Sequence, residues 1–327
     1  MSKIRWGILS TGMIAGLFVE GLRDVADAEV AAVGSRTRES AEAFGERYGI
    51  PRRHGSYEAL AADPDVDVIY IGTPHNLHAA NTRTCLEAGK AVLCEKPFAL
   101  NAEQARGMVA LARKRGLFLM EAMWTRFRPH MVELRRLLAE GVIGEPRMLH
   151  TNFGFRIPFD PKHRLFDPAL GGGALLDVGV YPISLAHMVF GTPEAVVSLA
   201  ALGETGVDEQ MSAVLRFSGG RLAVCSAATR TKLPLTATIS GTEGQIELPP
   251  APWSGDSQLL LRRPDGSEEP IAISHVGNGY NYQVEEVHAC LRAGRGESAI
   301  MSLDESIAIM ATLDAIRAPW GLRYPGE

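Results

Sequence analysis

The sequence predicts an α/β protein in two parts: an amino-terminal doubly wound parallel sheet, and a carboxyl-terminal α+β domain built on a large, open, mostly antiparallel sheet. Three observations predict it. Apolar runs of strand length alternate with amphipathic helical stretches from residue 4 to about residue 120, the rhythm of a parallel sheet covered on both faces. After residue 121 that rhythm stops, and beyond Gly191 a series of β-prone runs follows with short connections. A length of 327 residues exceeds what one core ordinarily fills, so two domains are expected, 1–121 and 122–327.

Composition narrows the partners. Hydrophobic residues make up 46% and charged residues 22%, which excludes a disordered chain. A formal net charge of -5 gives no general attraction to nucleic acid or to an anionic membrane, and neither is expected as a partner. Cys85, Cys94, Cys225 and Cys290 are scattered, with no Cys-x-x-Cys pair and no His spacing suited to zinc. They read as buried thiols in a reducing compartment, and no metal is expected. The chain enters a strand at once after Met-Ser-Lys, without the pattern of a signal peptide, so a cytoplasmic location is expected. No apolar run reads as long enough to cross a bilayer.

The first strand, Ile4 to Leu9, runs into Ser10-Thr11-Gly12-Met13-Ile14-Ala15, which opens a helix through about Leu22. This is the dinucleotide pattern G-x-G-x-x-G/A with Ser10 at the first glycine. Gly12 stands where backbone must approach a pyrophosphate, and Ala15 where helix and strand pack closely. Backbone N–H groups of Ser10, Thr11, Gly12, Met13 and Ile14 are the candidate anion contacts, and the sheet reads as a Rossmann domain. The second strand, Glu29 to Val33, ends in Gly34-Ser35-Arg36-Thr37-Arg38. An NAD site usually carries an acidic residue there, on the ribose 2′-hydroxyl. Ser35, Arg36 and Arg38 instead suit a 2′-phosphate, so NADP is expected over NAD.

A helix from Arg38 to Tyr48, a short strand toward His54 and a brief helix, Ser56 to Ala62, precede the apolar strand Val66 to Ile71. That strand ends in Gly72-Thr73-Pro74-His75-Asn76-Leu77-His78. Thr73, Pro74, His75, Asn76 and His78 are candidates to face the cofactor at the carboxyl edge of the sheet. Asn76 is also expected to N-cap a helix reaching Ala88, with Gly89 beyond its end. The next apolar run stops at Glu95-Lys96-Pro97, two opposite charges and a rigid turn at the edge where α/β sheets bind ligands. Asn101-x-x-Gln104 has the form of a capping box for a helix to Arg115. Leu117 to Met120 reads as a sixth strand, leading to Trp124 and Arg126 as further candidates.

In the second half a helix is expected over Pro129 to Ala139, broken by Gly141 and Gly144, then strands at Arg147–Phe155, Ala195–Leu202, Gln210–Phe217, Leu222–Thr229, Leu235–Ser240, Gln245–Leu248 and Leu259–Arg263. Two helices close the chain, about Tyr282 to Leu291 and Leu303 to Ala318, the latter after a Ser302-x-x-Glu305 capping box. Between these parts lies Gly171-Gly-Gly-Ala-Leu-Leu-Asp177-Val-Gly-Val-Tyr181-Pro182. The glycines point to a ligand or to tight packing. Asp177 and Tyr181, four apart, share a face if the segment is helical, and Pro182 implies a kink or a restart. One face of the second sheet needs cover, and a homo-oligomer through that face is expected.

Together, Glu95-Lys96-Pro97, the Ser10-Thr11-Gly12 loop and the Gly171–Tyr181 segment resemble the Gfo/Idh/MocA oxidoreductase family over both domains. Tyr181, where many members have His, and Trp124-Thr125-Arg126-Phe127 make the chain most similar to the branch holding dimeric dihydrodiol dehydrogenases, glucose-fructose oxidoreductase and NADP-dependent xylose dehydrogenases. The resemblance implies a catalytic role for Lys96, with Asp177 and Tyr181 beside it. Glu95, Lys96, Trp124 and Arg126 are further candidates for cofactor contact. Chemistry supports the assignment independently: moving a hydride to or from a carbinol requires a group that takes or gives the hydroxyl proton. A phenol ordinarily titrates near about 10, and a neighbouring ammonium favours the phenolate. Tyr181 is therefore expected as acid/base, Lys96 as its electrostatic partner, and Asp177 as the group that orients them. Trp124, Arg126, Phe153, Arg156, His163 and Tyr282 are secondary candidates for the pocket wall.

The expected activity is an NADP-dependent dehydrogenase or reductase acting on a sugar, polyol or cyclic diol. Two alternatives remain: elimination or glycosidic cleavage with the cofactor recycled on the protein, and a non-catalytic NADP-binding sensor. Lys96, Asp177 and Tyr181 weigh against the sensor, which needs no acid–base set.

Overall fold

The computed structural model describes residues 2–248 and 258–327. They form two compact units. One comprises Met1–Ala99, Glu103–Phe127 and Val276–Ile307; the other comprises Leu100–Ala102, Arg128–His275 and Ala308–Glu327. The first unit thus recruits a carboxyl-terminal segment.

In the first part of the chain strands and helices alternate: β1 (Ile4–Leu9), α1 (Met13–Leu22), β2 (Ala28–Gly34), α2 (Arg38–Tyr48), β3 (Arg52–His54), α3 (Tyr57–Ala61), β4 (Val68–Ile71), α4 (His78–Glu87), β5 (Ala91–Glu95), α5 (Ala102–Arg115) and β6 (Leu119–Ala122). All six strands are parallel, in the order β3-β2-β1-β4-β5-β6. Central strands β4 and β5 are buried at every residue, because helices cover both faces of such a sheet. The sixth strand lies two residues later than its sequence reading, since Gly116 at φ 65 ends α5 and Leu117 still bonds back to Ala112.

Asn76 is not the cap of α4. It sits inside a 3₁₀ turn, His75–Leu77, and α4 starts at His78 with no side-chain cap.

The second unit contains α6 (Pro129–Ala139), β7 (Pro146–Gly154), α7 (Val180–Phe190), β8 (Ala195–Leu202), β9 (Asp208–Arg216), β10 (Leu222–Ala228), β11 (Ala237–Gly241), β12 (Gly244–Leu248), β13 (Gln258–Arg262) and β14 (Glu268–Ala272). Its eight-stranded sheet has the order β14-β13-β12-β11-β7-β10-β9-β8, antiparallel except where β7 meets β10. β14 was not legible in the sequence: Glu268-Glu269-Pro270 lacks strand character, and only an edge position tolerates such a proline. On one face the sheet packs against residues 168–190. The other face carries Val197, Leu199 and Val214, which are 73%, 80% and 43% exposed.

Residues 168–190 correct one sequence expectation. The stretch is helical throughout its core and long and apolar enough to cross a membrane, yet 89% of its most apolar window is buried inside the protein. Its hydrophobicity serves the core of the second unit. Two helices complete the chain, α8 (Asn281–Arg292) and α9 (Leu303–Arg317). The Ser302 hydroxyl accepts from the Glu305 N–H at 3.2 Å, the capping contact expected there. α8 belongs to the first unit, where Trp6 Nε1 donates to His288 Nε2 at 3.0 Å. Because Nε2 accepts, the proton sits on Nδ1 and is donated to Asp27 at 3.0 Å. All four cysteines are free and buried.

Below the second strand's exit, Asp63 is 3% exposed and accepts from Arg52 at 2.6 and 2.7 Å and from the Asp65 N–H at 2.9 Å, and it faces His54 Nε2 at 2.8 Å. Burial alone would raise its pKa, but these partners outweigh it and bring it down to about 2. A carboxylate depressed in the fold stabilises above its unfolded pKa and loses that contribution as pH falls through the folded value. Asp63→Asn should therefore cost about 2 kcal/mol at pH 6, with the gap to wild type closing between pH 4 and pH 2. Urea unfolding at stepped pH checks this, and a gap that does not close as pH falls would refute it.

Candidate functional site

In the first unit, β1 must hand over to α1 within three residues. Ser10 does so at φ 133, a conformation glycine adopts freely and serine rarely. Its N–H donates to Gly34 O at 3.1 Å, and its Oγ accepts from the Gly12 N–H at 3.1 Å. Gly12 itself is extended, at φ -76 and ψ 174, where any residue fits. A Cβ added there would meet only Ser10 Oγ at 3.5 Å, an ordinary contact. Neither backbone nor packing asks for glycine at this position. The open space here, at a helix start that has no side-chain cap, suits close approach by a group outside the chain. Met13, 83% exposed, and half-buried Ile14 form the first residues of that helix.

The turn after β2 separates the two arginines. Arg38 is bound by Glu42 at 2.6 Å. Arg36 is exposed and makes no hydrogen bond or ion pair among the described residues. Ser35 is buried, with its N–H on His54 O at 3.1 Å and its Oγ 3.4 Å from Thr11 Oγ1, so the β1 and β2 turns are tied together.

At the end of β4, Thr73 Oγ1 accepts from Asn81 at 3.1 Å. His78 is fully buried, its Nδ1 2.8 Å from Pro97 O and its Nε2 2.9 Å from Thr73 O. Burial brings His78 down to about 4, against the pull of those carbonyls. A neutral imidazole carries one N–H, so His78 donates to one of these two carbonyls and lies between the Thr73 and Pro97 loops. His75 is also buried, its ring 5.8 Å from that of His78, and Pro74 is half-buried beside it. Asn76 differs: its Oδ1 is buried with no hydrogen-bond partner among the described residues, an acceptor suited to a ligand donor.

β5 ends as expected at the opposite charges. Glu95 is buried and uses its oxygens within the fold, accepting from Tyr70 OH at 2.7 Å and from the Lys96 N–H at 3.2 Å. Tyr70 in turn stacks flat on Phe18 at 3.7 Å. Lys96 is half-buried and its bond to Pro97 is cis. Trp124 stacks on Tyr280 at 4.8 Å, and buried Arg126 is held by Glu305 at 2.7 Å.

The second unit holds the other candidates. Leu175–Gly179 form one π-helical turn that passes into α7 at Val180, so Pro182 falls in the first turn of α7 and the pitch changes where its missing N–H requires. Asp177 and Tyr181 both lie on this segment and both are buried. Asp177 Oδ1 accepts from Arg164 Nη1 at 2.9 Å. The Tyr181 ring packs on Phe153, centroids 5.3 Å apart. Of the other wall candidates, Arg156 forms an isolated β-bridge with Arg230, His163 Nδ1 accepts from the Leu165 N–H at 3.3 Å, and Tyr282 OH accepts from the Val276 N–H at 2.7 Å.

The glycine run resolves in favour of packing. A Cβ on Gly172 would lie 2.8–2.9 Å from three backbone carbonyls, and one on Gly173 would lie 2.2 Å from Asp208 Oδ1.

Residues 4–123 match the oxidoreductase family with an NAD-binding Rossmann fold, and residues 131–247 match the GFO/IDH/MocA C-terminal domain. The chain belongs to the Gfo/Idh/MocA oxidoreductase family. A trans-1,2-dihydrobenzene-1,2-diol dehydrogenase from Xenopus tropicalis is 41% identical over 98% of this chain and 99% of its own, and the Homo sapiens protein of that name is 39% identical over 99% of both. Among solved structures, an aldose-aldose oxidoreductase from Caulobacter crescentus complexed with glycerol superposes with a TM-score of 0.90 at 29% identity, covering 98% of each chain. A 3-ketoreductase from Actinomadura kijaniata in complex with NADP and TDP-benzene gives 0.86 at 28% identity, over 97% of this chain and 98% of that one. Membership makes this chain an oxidoreductase with an NAD(P)-binding domain, which the cradle at Gly12 and the acceptor at Asn76 fit.

Arg164, Asp208 and Tyr324 escaped the sequence reading, because none sits in a motif and the latter two act on residues 33 and 152 positions away. Gly12 offers a direct test. Gly12→Ala should keep its melting temperature within about 2 °C, since the added methyl meets no clash. The same change should weaken NADPH binding at least about tenfold by blocking close approach. Unchanged binding in a fluorescence titration would refute the cradle.

Proposed function

We propose that this chain is an NADP-dependent dehydrogenase or reductase acting on a carbinol of a sugar or cyclic diol, with Tyr181 as acid/base. The observation that carries the proposal is the buried pair of Asp177 and Tyr181 on one helical segment, with Asp177 fixed by Arg164. A binding module needs no such pair. The names of the relatives support the substrate class, since they act on a dihydrodiol, on aldoses or on a ketone.

The cofactor supplies the hydride acceptor or donor. Ser10, Thr11, Gly12, Met13 and Ile14 would hold its pyrophosphate at the start of α1, and Thr73, Pro74, His75 and Asn76 would line its path along the sheet edge. Ser35 and Arg36 would take a 2′-phosphate. The unengaged Arg36 fork favours NADP there, whereas Arg38 already spends its charge on Glu42. Tyr181 takes the hydroxyl proton as a carbinol is oxidised and returns it in reduction. Lys96 favours the phenolate and donates to the substrate oxygen. Asp177 orients this set, and Phe153 holds the Tyr181 ring at its face. Domain limits at 121/122 and a cytoplasmic location form part of the same reading.

A second copy of this chain is proposed to cover the open sheet face. Val197 and Val214 are paired in register there, Leu199 stands beside them, and a cavity of about 520 Å³ adjoins Leu199, Ser212 and Ser226. Leu199→Glu should convert an oligomer to a monomer in light scattering. A monomeric wild type at micromolar concentration would remove the idea.

Tyr181→Phe should lower kcat by about 10²-fold or more while NADPH binding stays within twofold. A near-normal rate would sink the acid/base assignment. Arg36→Ala should weaken NADPH binding about tenfold to a hundredfold and leave NADH unchanged, with Arg38→Ala much milder. Equal losses for both cofactors would refute the phosphate site. Initial rates on a panel of sugars and diols decide the class: binding without turnover would favour a sensor, and cofactor that never exchanges would favour recycling.

A further inference from the structure

We propose that Tyr324 is a positioning residue for Asp177 and Tyr181, acting through the Gly171–Gly173 turn. The inference rests on the acid–base reading above. Tyr324 is 3% exposed, and its hydroxyl donates to Gly172 O at 2.9 Å, immediately before the helical segment begins. That carbonyl lies outside the helix and has no place in its hydrogen-bond ladder, so the tyrosine fixes where the helix starts.

The turn joins two structures that meet at Asp177. On one side, the Gly172 N–H donates to Asp167 O at 3.0 Å and the Gly173 N–H to Leu165 O at 2.9 Å. These bonds hold the 164–167 loop, which delivers Arg164 to Asp177. On the other side, buried Asp208 accepts the Leu175 N–H at 2.6 Å and fills the space beside Gly173 where a Cβ would go. Arg164 and Asp177 therefore hang from the same two glycines, Gly172 and Gly173, one through the loop and one through the helix. Rotation of the turn would move them relative to each other.

Tyr324 is itself fixed. The Arg317 guanidinium lies 5.1 Å over its ring, and Arg317 is bound by Asp314 at 2.7 Å and by Glu327 through both nitrogens. Glu327 also accepts the Tyr324 N–H at 2.9 Å and reaches Asn101 at 3.1 Å. Hydroxyl, ring and backbone of Tyr324 are thus each tied down. So many restraints on one phenol suit a part whose job is geometric.

Tyr324→Phe deletes the hydroxyl and leaves the ring under Arg317. Expected is a fall in kcat of about tenfold to a hundredfold, with substrate KM and NADPH Kd within twofold. In an Asp177→Asn background the same change should cost nothing further, because its effect runs through Asp177. A kcat within twofold of wild type overturns the inference, as does full additivity with Asp177→Asn or a parallel loss of NADPH affinity. Glu327→Gln, which loosens Arg317 without touching the hydroxyl, should give a smaller loss confined to kcat, and decides the matter if Tyr324→Phe does not fold. If Tyr181→Phe is nearly inactive while Tyr324→Phe is normal, the acid–base reading stands and only this inference falls. If Tyr181→Phe is normal, both fall.

Discussion

The passage from β1 to α1 in three residues is the constraint on which the first unit depends. A strand buried in a parallel sheet must end, turn and present a helix start, and Ser10 accepts a glycine-like φ of 133 to do it. Such a conformation costs about 1–3 kcal/mol in a residue with a side chain. Two hydrogen bonds of Ser10 offset it, one to Gly34 O and one from the Gly12 N–H. The serine thus replaces the flexibility of a glycine with a bond that glycine could not make. In consequence Gly12 is held exposed at the start of α1, a helix start with no side-chain cap.

The second unit uses missing side chains in the opposite way. At Gly172 and Gly173 the vacated space is filled by carbonyls and by Asp208. Here glycine allows backbone to be packed against backbone, which is how a loop and a helix can share one hinge. Burial pushes Asp208 up to about 7, so a carboxyl that caps Leu175 at 2.6 Å is strongly desolvated yet kept in place by the bond it accepts. The same residue type therefore leaves open space at Gly12 and allows tight packing at Gly172 and Gly173. Only the neighbours tell them apart.

Periodicity made most of the fold legible. The bounds of β1, α1, α2, α6 and β8 follow directly from apolar runs or spacing and from the turn residues that flank them. β14 failed because an edge strand need not be apolar. The start of α4 failed because the local preference of Asn76 for a cap lost to a 3₁₀ turn that the Pro74 loop imposes. At the site, motif residues such as Gly12, Lys96, Asp177 and Tyr181 were visible as patterns. Arg164, Asp208 and Tyr324 were not, since Asp208 lies 33 residues from the Leu175 it caps and Tyr324 lies 152 from Gly172.

Sequence names the residue types near a site, but it does not say which of their bonding groups the fold has already used. His78 has both nitrogens on carbonyls, Glu95 serves Tyr70 and the Lys96 backbone, and Arg38 serves Glu42. Each reads in sequence as a candidate ligand contact, and in each the fold already uses bonding groups of that side chain. Arg36 and the Asn76 Oδ1 carry the reverse signature: among the described residues the first makes no hydrogen bond or ion pair and the second has no hydrogen-bond partner. An unpaired buried acceptor destabilises a fold by about 1–3 kcal/mol unless something satisfies it. Polar groups that the fold leaves open at the carboxyl edge of a nucleotide-binding sheet are therefore stronger evidence for a ligand than any motif that contains them.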